Sequence, residues 1–147
     1  MATQSHRILL LLATAAAALC FHVRAVANPL TEVEAAKVRE VIVAQIAALQ
    51  EDDADGAFQT ATPSVQQAIG SSGRFLAMVR GAYPMVYRPA SVSFHKPEEE
   101  DGSVLQMVEI KDDEDKSWLA LFALELQPDR SWRISGCLVA ENPWQSI

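Results

Sequence analysis

The sequence predicts an α+β fold in which N-terminal helices pack on a curved, four-stranded antiparallel sheet. Apolar residues recur at helical spacing in the first part of the chain, and the period changes to two from about residue 90. The helical part precedes the strand part and no segment is repeated, which is the pattern of a single α+β unit. The chain has 147 residues, of which 50% are hydrophobic and 21% charged, which is the composition of one globular domain.

The first 27 residues have the pattern of a signal peptide. One positive charge in residues 1–7 precedes an apolar run over 8–21, and Ala25-Val26-Ala27 supplies the small residues that signal peptidase accepts. The run is shorter than the roughly 20 residues that cross a bilayer, and an uncleaved anchor is the alternative. We therefore expect cleavage after Ala27 and an exported, periplasmic or secreted single domain of residues 28–147, with no membrane span after cleavage.

A capping box marks the start of the first helix. Thr31 at the cap and Glu34 three residues later can satisfy exposed amide donors reciprocally. An apolar stripe follows at helical spacing, formed by Val38, Val41, Ile42, Ile46 and Leu49. Gln45 interrupts this stripe, and the acidic segment 51–56 ends the helix.

Two shorter helices are expected next. The first spans residues 57–61. The second begins after Thr62, with Pro63 at its first position and Gly70 as its stop.

A fourth helical segment is predicted from Ser71 or Ser72 through Gly81. It is expected to bury Phe75, Leu76 and either Val79 or Met78. Two prolines then predict an extended passage over residues 83–89, because a residue that precedes proline avoids the helical region.

Four strands complete the pattern as an antiparallel meander with short charged turns. They are predicted at residues 91–96, 103–111, 117–127 and 131–140. In the last strand Trp132, Ile134, Gly136 and Leu138 alternate and are expected on one face, with Trp132 as a core anchor.

The middle strands are apolar on both faces, which predicts a homodimer. Leu119, Leu121 and Ala123 alternate with other apolar residues, and Leu105 and Met107 alternate with Val104, Gln106 and Val108. The helices can cover only one face of the sheet, and monomers seldom expose the apolar patch that is left. The alternatives are that sheet curvature or Trp144 in the tail covers this second face.

Several segments together resemble a known family. They are Ala57-Phe58, Phe-Leu-Ala-Met-Val-Arg at 75–80, Tyr-Pro-Met-Val-Tyr-Arg-Pro at 83–89 and Ser-Trp-Arg-Ile-Ser-Gly-Cys at 131–137. The pattern is similar to the secreted bacterial family known as domain of unknown function 4864. The element order resembles the cystatin-like cone of nuclear transport factor two and the SnoaL-like polyketide cyclases. The resemblance implies that fold and an exported location, and it carries over no catalytic residues.

Charge and composition exclude several functional classes. The formal net charge is −7, so a phosphate-binding surface for nucleic acid is not expected. Without residues 1–27, Cys137 is the only thiol and His95 the only imidazole, so we expect no metal site and no cofactor. The segment 51–56 imitates the start of a calcium loop, but the twelfth position is Thr62 instead of a bidentate Glu. Cys137 is expected to be a small buried residue, with an intermolecular disulfide as the alternative.

The candidate site residues are Gln45, Arg80, Tyr83, Tyr87 and Arg88. The last four gather two cations and two phenols beside a proline-constrained loop, and they could hold a small anionic ligand. The alternative is that the tyrosines belong to the core or a lid and the arginines pair with acidic turns. Gln45 on an apolar helix face must find internal partners or line a wet cavity.

The function that these features favour is non-catalytic binding or scaffolding, through a cone cavity or a sheet face. The alternative is a small cone-pocket enzyme of isomerase, dehydratase or hydrolase type. Such an enzyme needs a general base in the pocket, but alternation places His95 and Glu109 away from the core. A small anionic or apolar molecule and a second copy of the chain are the expected partners.

The signal-peptide pattern makes the first testable prediction. The form isolated from its own cell envelope should begin at Asn28 on N-terminal sequencing and should remain outside the membrane fraction. Met1 retained in a membrane pellet would contradict it.

Overall fold

A computed structural model describes residues 30–145, and the predicted signal peptide lies outside these residues. Helices come first: α1 (Glu32–Gln50), α2 (Ala54–Gln59), α3 (Pro63–Ile69), α4 (Ser72–Ala82) and α5 (Pro84–Tyr87). The strands follow: β1 (Ser91–Phe94), β2 (Glu98–Glu100), β3 (Ser103–Lys111), β4 (Ser117–Leu126) and β5 (Trp132–Glu141). The predicted α+β class is confirmed. Within the described residues no helix is long and apolar enough to cross a membrane.

The long helix α1 begins where the sequence predicts. The Thr31 side chain accepts a hydrogen bond from the amide of Glu34 at 3.2 Å. At the other end the amides of Asp52 and Asp53 donate to the carbonyls of Leu49 and Ala48, which is a Schellman motif. Asp52 takes the left-handed position with φ of 54°, where glycine is usual. This conformation turns the chain directly into α2.

The shorter helices match the prediction at α3 and α4 and differ at α2. Thr62 and Ser71 cap α3 and α4, and Phe75 and Val79 are buried. Met78 is instead 43% exposed. The helix α2 begins at Ala54, before the predicted residue 57, because the Asp53 side chain caps it by accepting from the amide of Gly56 at 3.0 Å.

The predicted extended passage over 83–89 is wrong in its middle. Tyr83 and Arg88 have non-helical ψ values of 57° and 76°, as expected before proline. Between them α5 forms one helical turn. Pro84 favours this turn because its fixed φ suits the first helical position, where no amide donor is required.

The sheet has five strands instead of the predicted four. Its order is β1-β3-β4-β5, and β2 also pairs with β3, so β1 and β2 are two parts of one interrupted edge strand. The additional strand lies in the predicted turn 97–102. Asp101 and Gly102 both have positive φ, which matches the two-residue type I′ turn that closes β2 onto β3.

A buried glutamine lies opposite the interruption between β1 and β2. Gln106 on β3 is fully buried, and its Nε2 donates to the carbonyls of His95 at 2.7 Å and Met107 at 2.9 Å. The side chain thus satisfies the His95 carbonyl, which lies beyond the end of β1. Its Oε1 has no hydrogen-bond partner among the described residues.

A β-bulge in β5 reverses the expected facing of half the strand. Ala123 pairs with Gly136, but Leu124 pairs with Ile134, so Ser135 is an extra residue. Trp132 and Ile134 face the core as predicted. Beyond the bulge Cys137 pairs with the buried Phe122, whereas Leu138 is 75% exposed. The prediction that Gly136 and Leu138 share the face of Trp132 is therefore wrong, because the extra residue shifts the two-residue period by one.

The core lies between α1 and the inner face of the sheet. Val38, Ile42 and Leu49 of α1 are fully buried, while Val41 is half-buried. Trp132 is 9% exposed, and its indole Nε1 donates to the Glu34 carboxylate at 2.6 Å. Glu34 therefore does not close the capping box but links the start of α1 to β5. Hydrogen bonds from Trp132 and then Lys37 lower the pKa of Glu34 below its ordinary value.

This link predicts a pH dependence of the free energy of unfolding. A carboxyl whose pKa is lowered by folding stabilises the protein above its unfolded pKa, and the contribution disappears as pH falls through the folded value. We expect Glu34→Gln to lower stability at pH 7 and to have less effect as pH falls below about 4.3, the ordinary pKa of Glu. Urea unfolding from pH 7 to pH 3 measures this. Glu32→Gln is the control, because it removes one charge from the same helical turn. A loss of stability in Glu34→Gln that is as large at low pH as at pH 7 would contradict the role of the ionised Glu34 carboxylate.

Candidate functional site

A cavity of about 220 Å³ lies between the helices α3 and α4 and the inner face of β5. Its lining is almost wholly apolar. The lining residues are Gln45, Ala61, Val65, Ile69, Phe75, Met78, Val79, Tyr83, Val86, Phe122, Ile134, Gly136, Cys137 and Val139. The set contains no carboxylate, ammonium, guanidinium or imidazole group.

Backbone hydrogen bonds between the α2–α3 connection and β5 position the helical side of the cavity. The amide of Thr62 donates to the Ile134 carbonyl at 2.9 Å, and the Ile134 amide donates to the Thr60 carbonyl at 2.8 Å. These bonds hold the start of α3 beside β5, next to the bulge. Because of the bulge, Cys137 and Val139 line the cavity beyond it.

Gln45 is the principal buried polar group of the cavity wall. It is 5% exposed, and its Nε2 donates to Thr60 Oγ1 at 2.9 Å. The Thr60 hydroxyl in turn donates to the Ala57 carbonyl at 2.6 Å. Gln45 therefore has the internal partner that one alternative required, and it also lies in the wall of the cavity.

Cys137 is the free thiol of the cavity wall. Burial raises the pKa of this thiol to about 12. The thiolate is the nucleophilic form of cysteine, so at neutral pH the group is an inert, weakly polar part of the lining.

Tyr83 and Met78 lie at the exposed border of the cavity. Tyr83 is 37% exposed and Met78 is 43% exposed, and both are lining residues. Tyr83 therefore borders the same space as Gln45 but remains in contact with water.

The other three candidate residues form a separate cluster with Asp52. The Arg80 and Arg88 guanidiniums lie 5.5 Å and 4.9 Å from the centroid of the Tyr87 ring. The Tyr87 hydroxyl donates to Asp52, and Arg88 Nη2 lies 3.5 Å from the Asp52 carboxylate. The structure thus divides the predicted group: Tyr83 borders the cavity, whereas the two arginines surround a tyrosine that is bonded to an acidic turn.

The possible general bases lie outside the cavity. His95 is exposed at the end of β1, and Glu109 accepts a hydrogen bond from the Ser117 hydroxyl at 2.8 Å. Neither residue lines the cavity. Among residues 30–145 no group of three or more His, Cys, Asp or Glu side chains could hold a metal ion.

Sequence reasoning missed Thr60, the partner that fixes the Gln45 amide. The two residues are 15 positions apart and lie on different elements, and Thr60 carries no motif. It also missed the cavity role of Cys137 and Val139, because the bulge that turns them inward interrupts the alternation.

The fold and cavity define a small α+β domain with an uncharged, largely apolar site. A family model described as "Domain of unknown function (DUF4864)" matches residues 31–147, and the chain belongs to this family, as the resemblance predicted.

A crystal structure described as an NTF-2 like protein of unknown function from Burkholderia xenovorans LB400 is similar at 16% sequence identity, with a TM-score of 0.41. The match covers 76% of this chain and 91% of that one, and at this TM-score it supports no argument about function. No curated protein matches the chain.

Proposed function

We propose that this domain binds a small, neutral and mainly apolar molecule in the cavity without transforming it. The observation that carries the proposal is the lining itself, which is apolar apart from Gln45, Tyr83 and Cys137. A buried charge needs a paired charge or several hydrogen bonds, and this wall supplies no opposite charge. The anionic ligand considered from the sequence is therefore less favoured than an apolar one.

The size of the cavity limits the ligand. A cavity of about 150 Å³ lined by apolar side chains can hold benzene, and pockets for drug-sized ligands measure about 300–1,000 Å³. At about 220 Å³ this cavity suits a molecule slightly larger than benzene. Substituted single rings and short branched hydrocarbons with one polar group fall in this range.

The lining favours binding over catalysis. Proton transfer requires a group whose pKa lies near the working pH, and neither His95 nor Glu109 borders the cavity. The Cys137 thiol stays protonated because its pKa is about 12. A pocket enzyme of isomerase or hydrolase type would thus lack its base here.

Toluene binding tests the cavity proposal. We expect the purified protein to bind toluene saturably in ligand-observed NMR titrations. Cys137→Phe should abolish this binding because the ring would occupy the cavity from its inner wall. Leu138→Phe is the matched control, since the neighbouring residue lies on the opposite sheet face and should leave binding unchanged.

Circular dichroism confirms that each variant is folded, and Val65→Phe fills the cavity from α3 if Cys137→Phe does not fold. Absence of toluene binding by the unmodified protein would contradict the proposal. Equal binding by a folded cavity-filling variant would contradict it too.

The outer face of the sheet supports a second proposal, a homodimer. Leu105, Met107, Leu119, Leu121 and Ala123 lie on this face and are half-buried, and the neighbouring Leu138 is 75% exposed. The helices of the described chain contact the opposite face. Trp144, considered as a possible cover, is itself 80% exposed.

A second copy of the chain is the occupant that this face suits. Leu138 projects beside Gly136 and Ala123, where a side chain at Gly136 would meet nothing within 4 Å. A two-fold axis can place the leucine of each copy in the hollow of the other, as an isologous interface requires. Glu125 and Arg133 are cross-strand neighbours of opposite charge at one end of this face, which suits the polar rim of an interface.

Light scattering over a dilution series tests the dimer. We expect a mass of two subunits that falls to one on dilution, and Leu121→Lys should give one subunit at all concentrations because it places a charge in the apolar centre. Val43→Lys is the control, since Val43 is 48% exposed on α1 and lies in the helical layer. A constant mass of one subunit for the unmodified protein would contradict the dimer.

The proposed setting for both activities is the periplasm or the extracellular space. The leader pattern of residues 1–27 supports this location.

A further inference from the structure

We infer that the cavity selects ligands that donate a hydrogen bond, so that its ligand class is small neutral phenols or alcohols with an apolar body. This inference rests on the proposed binding function and adds the polarity of the ligand. It depends on one chain of hydrogen bonds, from Gln45 through Thr60 to Ala57.

This series of hydrogen bonds fixes which end of the Gln45 amide faces Thr60. The Thr60 hydroxyl has a single hydrogen, which it gives to the Ala57 carbonyl at 2.6 Å. Toward Gln45 the hydroxyl oxygen can therefore only accept, and the group 2.9 Å away must be the Nε2 donor. Rotating the amide by half a turn would place Gln45 Oε1 against the Thr60 oxygen, so that two acceptors would meet.

The other end of the amide is left to the cavity. No donor among the described residues reaches Gln45 Oε1, and this atom is not one of the fully buried side-chain atoms without a partner, so it keeps some accessible surface. Gln45 is 5% exposed, and the space that it borders is the cavity. Its Oε1 is thus an acceptor held in place by a buried donor on the same group.

The remaining polar groups of the lining select less strongly. The Tyr83 hydroxyl can donate or accept, and the residue is 37% exposed, so water competes for this hydroxyl. The Cys137 thiol is a weak donor. A ligand hydroxyl therefore gains a well-oriented acceptor in Gln45, whereas an ether oxygen at the same place meets another oxygen.

Three ligands with the same number of non-hydrogen atoms test the inference: 4-methylphenol, 1,4-dimethylbenzene and anisole. Their affinities for the purified protein are measured by NMR or calorimetric titration. For each ligand, the ratio of its affinity for the protein to its affinity for the Gln45→Met variant cancels the contribution of ligand hydration. We expect this variant to bind 4-methylphenol about 3- to 10-fold more weakly relative to 1,4-dimethylbenzene, as for one hydrogen bond. Anisole should not lose affinity.

Thr60→Val supplies an independent test if Gln45→Met does not fold. Without the Thr60 oxygen the amide is free to turn its Nε2 toward the cavity, so anisole binding should strengthen several-fold while 4-methylphenol keeps its affinity. Gln50→Met is the matched control, because this exposed glutamine lies on the same helix but outside the cavity lining, and it should leave the ratio of 4-methylphenol to 1,4-dimethylbenzene unchanged.

The outcomes separate this inference from the proposed function. If all three ligands bind but neither Gln45→Met nor Thr60→Val changes their ratios, the selection by Gln45 is wrong and the binding function stands. A ratio that changes as much in Gln50→Met as in Gln45→Met also overturns it. If none of the three ligands binds, the proposed function fails and the inference fails with it.

Discussion

The extra residue in β5 determines which side chains reach the cavity and which reach the outer face. A strand alternates its side chains strictly, so one inserted residue exchanges the two faces for everything that follows. Before Ser135 the strand contributes Trp132 and Ile134 to the core, and after it Cys137 and Val139 line the cavity. The same shift moves Leu138 to the outer face. One bulge therefore decides both what the second half of β5 adds to the cavity wall and what it adds to the apolar outer face.

The first half of β5 is also where the helices are attached to the sheet. The Trp132 indole bonds to Glu34 at the start of α1, and the backbone of Ile134 pairs with Thr60 and Thr62. Thr60 then orients the buried amide of Gln45. Each of these residues is at least partly buried and makes a hydrogen bond across the helix–sheet contact or the cavity wall, which favours one packing arrangement over others. The acceptor that faces the cavity is positioned by the same contacts that hold the helices.

Much of the fold follows from local signals, whereas the site does not. Thr31, Thr62 and Ser71 cap helices as predicted because capping depends only on neighbouring residues. The strand β2 was not predicted from the sequence. Asp101-Gly102 is a hairpin signal, but the glutamates before it are typical of a solvated turn. The bulge and the Gln45–Thr60 bond depend on pairing between distant segments, and no periodicity shows them. The four clustered candidates Arg80, Tyr83, Tyr87 and Arg88 are divided because Asp52, distant in sequence, lies beside Tyr87 and Arg88.

Thiol labelling tests the central claim, the facing of residues beyond the bulge, most directly. A neutral maleimide is applied at low protein concentration, where any dimer dissociates, to two proteins that both carry Cys20→Ser. One retains Cys137, and the other combines Cys137→Ala with Leu138→Cys. Cys137 should react at least about 100-fold more slowly, since it is half-buried on the inner face and its pKa is raised to about 12, while a thiol at position 138 should react as in an unfolded chain. Fast labelling of Cys137 and protection at position 138 would show that the strand alternates without the bulge, and both the cavity and the outer face would be wrongly assigned.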